Sequence, residues 1–231
     1  MLGTILASLL SLILTSGTTS MNDSQFSSAQ LLMLPRAGCP LSLKQVEEHS
    51  RRSNNGSLTV EFTVTGYEYR DSAGRVRVES EIRDQVGNSS GLMITITDPV
   101  AHFQTVLVNS DKVAYRMPIA LSGEGKFSVH DAADGQDAPH QWKVTTEDEG
   151  EKTIDGFVFK GSRIVTSAED TSGLVTTIDQ WYSDQLKVIG AIDRSGPYKA
   201  YTVRIQQLQI GEPESKLFEV PSDYKVIEVK P

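Results

Sequence analysis

The sequence predicts a mainly β protein: a single, strongly curved antiparallel sheet, half-barrel-like, with one short N-terminal helix and a C-terminal helical turn. Three observations point there. Thr, Val and Ile are conspicuous along the chain, and they suit a pleated, half-buried surface. Apolar and polar residues alternate over repeated short runs, the period of a strand with one face in water. Glycines interrupt these runs where the apolar phase slips, as in β-bulges, and bulges bend a sheet.

In chain order, residues 5–14 form an apolar core followed by small residues from Thr15 to Ser20. That length suits a signal h-region and is too short to span a bilayer. No Lys or Arg precedes Arg36, so two readings of the start are open: one upstream of Met1, or one at Met21. The expected organisation is a signal-like segment over 1–20, a disordered Ser-rich linker over 21–38 and one β domain over 39–231 with a long excursion at 117–146. Ala37-Gly38-Cys39 resembles a bacterial lipobox, but Arg36 stands where an aliphatic residue belongs. Cys39 is the sole cysteine, which excludes an internal disulfide.

Residues 39–50 are the one stretch read as a helix, with Leu41, Leu43 and Val46 near helical spacing. Leu58, Val60, Phe62 and Val64 then alternate with polar residues, and Gly66 marks an expected bulge after which Tyr67 and Tyr69 carry on out of phase. Asp71-Ser72-Ala73-Gly74 is a turn. Val76, Val78, Ser80 and Ile82 oppose a charged face of Arg75, Arg77, Glu79, Glu81 and Arg83. Further strands are expected over 93–97, 103–109, 112–116, 153–159, 162–166, 174–182, 186–192 and 198–210. The acidic run Thr146-Glu147-Asp148-Glu149-Gly150-Glu151 lacks the spaced ligands of a calcium loop and reads as a solvated turn. Leu186, Val188 and Ile192 share a face with Gly190, and a phase slip is expected at Gln206-Gln207. Residues 211–215 lead into 216–221, which suggest a single helical turn that packs Phe218 under the sheet.

The formal net charge is −8, which argues against a protein that tracks a nucleic-acid backbone or adheres to anionic lipid. No nucleophile elbow, phosphate loop or dinucleotide fingerprint is present. His49, His102, His130 and His140 lack metal-ligand spacing. No catalytic residue, cofactor or metal ligand is assigned, although a glycosidase-type carboxylate pair stays open. The candidate site is an apolar cleft of Phe62, Val64, Trp181, Leu186 and Val188.

Several segments carry a resemblance: Thr153-Ile154-Asp155-Gly156-Phe157, Lys160-Gly161-Ser162-Arg163, Trp181-Tyr182-Ser183, Gln185-Leu186-Lys187-Val188, Gly211-Glu212-Pro213 and residues 217–224. With Asp98-Pro99-Val100 and the turn at 69–75, they resemble a group of exported β proteins of acidobacterial type over residues 58–226. The Trp-Tyr-Ser segment and closing Phe-x-Val-Pro are similar to periplasmic lipoprotein-carrier folds. That resemblance implies a curved sheet with a concave apolar face, no transferable catalytic residue, and a lipid, acyl group or envelope protein as partner. The chain departs from the group at residues 168–172. The expectation is an exported, periplasmic or extracellular non-enzymatic carrier, with an envelope scaffold module or a hydrolase as alternatives.

Overall fold

A computed structural model describes residues 35–119, 142–169 and 173–229. Twelve strands form one sheet in the order β12-β6-β5-β4-β3-β2-β1-β11-β10-β9-β8-β7. They are β1 (Leu41–Arg52), β2 (Leu58–Arg70), β3 (Val76–Asp84), β4 (Ser89–Asp98), β5 (Phe103–Val108), β6 (Val113–Pro118), β7 (Trp142–Ile154), β8 (Phe157–Ala168), β9 (Val175–Ser183), β10 (Val188–Ser195), β11 (Lys199–Ile210) and β12 (Lys225–Glu228). The sheet is open, with β12 and β7 at its two ends. Every pairing is antiparallel except β12 on β6, which is parallel. The expected C-terminal helical turn is present as a 3-10 helix, Ser215–Phe218, with Phe218 buried.

The expected N-terminal helix is not formed: residues 41–52 are β1, at the centre of the sheet. Leu41, Leu43, Gln45 and Glu47 are buried while Ser42, Lys44 and Val46 are half-buried, a period of two. That period was hidden because two of the inward residues are polar, which left Leu41, Leu43 and Val46 as the visible apolar set. We call the face of β1 that carries Leu41, Leu43, Gln45 and Glu47 the inner face.

Register carries this face across the sheet. Leu41, Leu43, Gln45, Glu47 and His49 lie opposite Arg70, Glu68, Gly66, Val64 and Phe62 of β2. These in turn oppose Val76, Val78, Ser80, Ile82 and Asp84 of β3. The expected bulge at Gly66 is therefore absent. Pairing with β3 is continuous through it, and Glu68 and Arg70 stay on the inner face while Tyr67 points to solvent. The bulge in β2 lies at Glu61, across from the register shift between His49 and Ser50. At Gln206 the slip occurs as the sequence suggests: Lys44 opposes Gln207 and Gln45 opposes Ile205, so Gln206 is the extra residue.

Two more corrections concern β7 and β8. Asp155 and Gly156, at φ 48° and 83°, form a two-residue hairpin loop between Ile154 and Phe157. An Asp-Gly pair with both φ positive matches the twist of the flanking strands. The expected strand over 153–159 is thus the tip of a hairpin, and β8 runs on through Gly161. The acidic run is not a turn either. It lies within β7, which is exposed along almost its full length, and a bulge at Glu149 precedes Gly150 at φ 77°. Exposed carboxylates and a bulge both blunt a long edge strand against adventitious pairing. Of the excursion expected at 117–146, residues 142–146 belong to β7 and residues 120–141 lie outside those described.

The core is divided between the two faces. Leu41, Leu43, Val76, Leu186, Val188, Ile205 and Phe159 form one cluster, and Ile178, Ile189, Ile192 and Val203 a second. The register shift at Gly190 separates Val188 from Ile192, which the sequence placed on one face. The third cluster, Ile94, Ile96, Leu107 and Ala114, uses the opposite face of β4–β6 and is covered by Val220 and Tyr224 of the C-terminal tail. Arg75 lies 4.9 Å from the Phe218 ring and Arg77 donates to the Leu217 carbonyl, which fastens the tail to the outer face of β3.

At Gly190 a Cβ would sit 2.4 Å from Phe159 Cε1, so the ring, itself fully buried, requires a glycine beneath it. Overpacking of this kind costs about 1–3 kcal/mol. Gly190→Ala is expected to lower the unfolding free energy from urea titration by that amount, and the smaller ring-site variant Phe159→Leu in the same chain is expected to recover part of it. Additive losses in the double variant would show that the ring contact is not the cause.

Candidate functional site

The inner face of β1 and β2 holds an unusual density of buried polar groups. Gln45, Glu47, Glu68 and Arg70 have no exposed surface at all. Such groups persist only when hydrogen-bonded, because desolvation is costly. Arg70 Nε donates to the Cys39 carbonyl at 2.8 Å, Nη1 to Lys187 at 3.3 Å and Nη2 to Leu186 at 2.5 Å. Leu186 and Lys187 belong to the β9–β10 turn, and β10 is three strand spacings from β2. In a flat sheet that is about 14 Å, beyond the reach of one side chain. The sheet therefore curls until this turn overlies the start of β1. Cys39 joins the same closure through Sγ to the Gln185 carbonyl at 3.6 Å. Burial pulls the Arg70 guanidinium below its usual range, against the raising effects of Cys39, Tyr182 and Glu68.

One step along the strands, Gln45 Nε2 donates to Glu68 Oε1 at 2.9 Å. The Gln45 side chain lies over Gly66, where a Cβ would come within 3.0 Å of its Cγ and Nε2. Burial pushes the Glu68 carboxyl well above the ordinary carboxylate range, and Glu47 pushes it further while Arg70 opposes. Beyond them His49 shares a 3.1 Å contact with Glu47 Oε2. Its ring stacks between Phe62 (4.3 Å between centroids) and Tyr201 (5.4 Å).

The residues of the expected apolar cleft divide into two groups. Leu186 and Val188 sit in the first core cluster, with Trp181 packed against it. The indole lies over Gly161, with the Lys152 ammonium 3.9 Å from its ring. Phe62 and Val64 lie instead on the inner face of β2, Val64 buried and Phe62 against His49. The polar stripe that joins these regions was not anticipated. Its signal was present in the alternation of residues 41–49, but Glu68 and Arg70 read as solvent-facing because inward positions were equated with apolar ones.

Glu47 and Glu68 are the two carboxylates that this stripe brings together. Both are fully buried, whereas a hydrolytic pair must admit a substrate and a water between its members. The pair therefore lacks the access that hydrolysis between two carboxylates needs. Among the described residues no group of three or more His, Cys, Asp or Glu side chains is placed to hold a metal ion. His130 and His140 lie outside those residues, and His102 occupies a turn at φ 60°.

A carboxyl whose folded pKa is raised contributes stability below its unfolded pKa and loses it as pH climbs toward the folded value. For Glu68 that loss begins above its usual 4.5. Glu68→Gln keeps the acceptor for Gln45 and removes the ionisation. The stability of Glu68→Gln relative to the parent is expected to rise as pH climbs above 4.5, until the folded carboxyl itself ionises, in urea titrations. A pH-independent difference would show that Glu68 ionises as freely in the folded chain as in the unfolded one. Arg70→Lys retains the charge but not the fork that reaches three carbonyls. It is expected to cost about 3 kcal/mol, a fall in Tm of roughly 6–12 °C for a domain of this size by thermal denaturation.

No protein-family model and no curated protein matches the chain. Solved structures do. The crystal structure of MucB is 13% identical with a TM-score of 0.42, over 84% of this chain and 61% of that one, so the chain spans less than two thirds of MucB. A putative outer membrane lipoprotein-sorting protein domain from Vibrio parahaemolyticus is 8% identical with a TM-score of 0.31, over 78% of this chain and 90% of that one. A LolA superfamily protein from Nitrosomonas europaea is 8% identical with a TM-score of 0.26, over 87% and 98%. The lipoprotein-carrier likeness anticipated from the closing motif recurs among these structures, and nothing in them bears on the acidobacterial one. At these scores the likeness is loose, and the functional reading rests on the geometry of the sheet.

Proposed function

We propose that this chain is a non-enzymatic, exported binding protein that carries an apolar ligand on the inner face of its curled sheet. One observation carries the reading. A sheet ordinarily buries each apolar face against a second layer, and here the tail covers only the opposite face, over β3–β6. Among the described residues no helix or second sheet lies on the inner face, where Phe62, Ile164, Tyr182 and Tyr201 remain partly exposed. An aromatic and aliphatic strip of that kind suits an acyl chain or another slender apolar body. Export agrees with the signal-like residues 5–14, and no described helix is long and apolar enough to cross a membrane.

A second reading, an envelope interaction module, is favoured by β7, a thirteen-residue edge strand exposed along almost all its length. Edge strands of this kind pair with extended segments of partners. The two readings separate in one experiment. Protein purified from its native envelope is expected to release lipid on extraction for mass spectrometry, and the emptied chain to take up a fluorescent fatty-acyl probe. Stoichiometric capture of a protein, with neither lipid nor probe uptake, would favour the module instead.

A further inference from the structure

The two edges of the sheet differ, and the difference bears on the interaction-module reading. At one edge β12 ends the ladder with four residues. At the other, β7 runs for thirteen, with β8 as its one partner among the described residues. At about 3.3 Å per residue its outer edge is roughly 40 Å long, beyond the usual range for strands of folded proteins. Its two faces are open as well: every residue from Trp142 to Glu151 is exposed, Val144 by 61%. The outward backbone N–H and C=O groups of such an edge are a template for another strand.

Charge selects which strand can pair there. Glu147, Asp148, Glu149 and Glu151 place four carboxylates within five residues, against Lys143 and Lys152 on the same strand. The neighbouring cations are engaged. Arg163, opposite Glu147, holds Asp179 at 2.7 Å and Glu149 at 3.2 Å. Lys160, opposite Glu151, reaches Asp184 at 3.2 Å, and the Lys152 ammonium lies 3.9 Å from the Trp181 ring. Asp148 accepts from the Gly150 N–H at 2.7 Å. Among the described residues Glu147 and Glu151 form no ion pair. A second copy of this chain is a poor occupant. With β7 against β7, antiparallel about Glu149 or parallel in register, carboxylates stand beside carboxylates, and like charges directly opposite one another destabilise a ladder. The same run favours a strand that brings cations to those positions.

We propose that β7 is a docking edge for an extended segment of a partner protein that carries Lys or Arg, added to the sheet as a further strand. The inference rests on the interaction-module reading and leaves the inner face to its apolar ligand. Main-chain hydrogen bonds along residues 143–148, up to the bulge at Glu149, supply the pairing. Val144, Thr145 and Thr146 provide the β-branched neighbours that suit cross-strand packing. Cations beside Glu147 and Glu151 set the register and exclude acidic segments.

The test uses short labelled peptides of alternating Val and Thr in which several Thr are replaced by Lys, or by Glu, with binding to the full chain read by fluorescence anisotropy. The Lys peptide is expected to bind at least tenfold more tightly than the Glu peptide, by a margin that narrows as salt is added. N-methylation of alternate amides in the Lys peptide, which removes edge donors and keeps the charge, is expected to abolish binding. Glu147→Lys with Glu151→Lys, both at exposed positions, is expected to reverse the preference between the peptides, and melting curves verify that the double variant folds. Equal binding of both peptides, still sensitive to N-methylation, would overturn the charge rule and leave the interaction-module reading standing. Binding that survives N-methylation would overturn strand addition, leaving attraction between charges alone. Self-association of the parent chain that the Lys peptide disrupts would assign the edge to a second copy and overturn the proposal. No binding of any peptide would remove the inference together with the edge-pairing basis of the module reading.

Discussion

The hydrogen bonds from Arg70 to the carbonyls of Cys39, Leu186 and Lys187 are the constraint on which the shape of this sheet depends. They join the end of β2 to the start of β1 and, across the two intervening strands β1 and β11, to the β9–β10 turn. The guanidinium matches that geometry because its donors diverge in one plane and stay charged after burial. The carbonyls of Cys39, Leu186 and Lys187 would otherwise face one another with no donor between them. Once the turn is drawn over, Leu186 and Val188 meet Leu41, Leu43 and Val76, and a cluster forms that a flat sheet would not contain. The charge thus determines where the apolar residues meet.

Curling removes the need for a second layer at one end of the sheet, while no described helix or second sheet covers the rest of the inner face. The opposite face solves its exposure differently. The chain turns back after β11, lays Phe218, Val220 and Tyr224 over β3–β6, and ends by adding β12 alongside β6. Tyr224 completes this with a hydrogen bond to Asn109. Among the described residues the outer face is strapped and the inner one is not, and the carrier reading rests on that asymmetry.

Close approaches between strands recur at glycines in extended backbone. Trp181 lies over Gly161, Phe159 over Gly190 and Gln45 over Gly66. In the first two a large ring takes the space of a missing side chain and packs across the strands. The third is different in kind, because the covering group is an amide with an unmet acceptor. The same backbone device thus yields core packing in two places and a polar niche in the third.

Much of the fold was legible along the chain. Alternation in residues 58–64 and 76–82 reported strands directly, and the slip at Gln206-Gln207 reported its own bulge. A run of side chains carries that information locally, since inward and outward positions differ in hydration. The helix expected over residues 39–50 and the bulge expected at Gly66 failed for one shared reason. Both rested on inward residues being apolar, and β1 and β2 bury Gln45, Glu47, Glu68 and Arg70 instead. Whether such a residue faces water is decided by partners 117 residues away in the chain for Arg70 and Lys187, and no local period encodes that. The sequence by itself determined a glycine-punctuated, mainly β chain. Only the tertiary structure decided that its centre is polar, because burying those groups becomes affordable once distant carbonyls and side chains arrive to meet them.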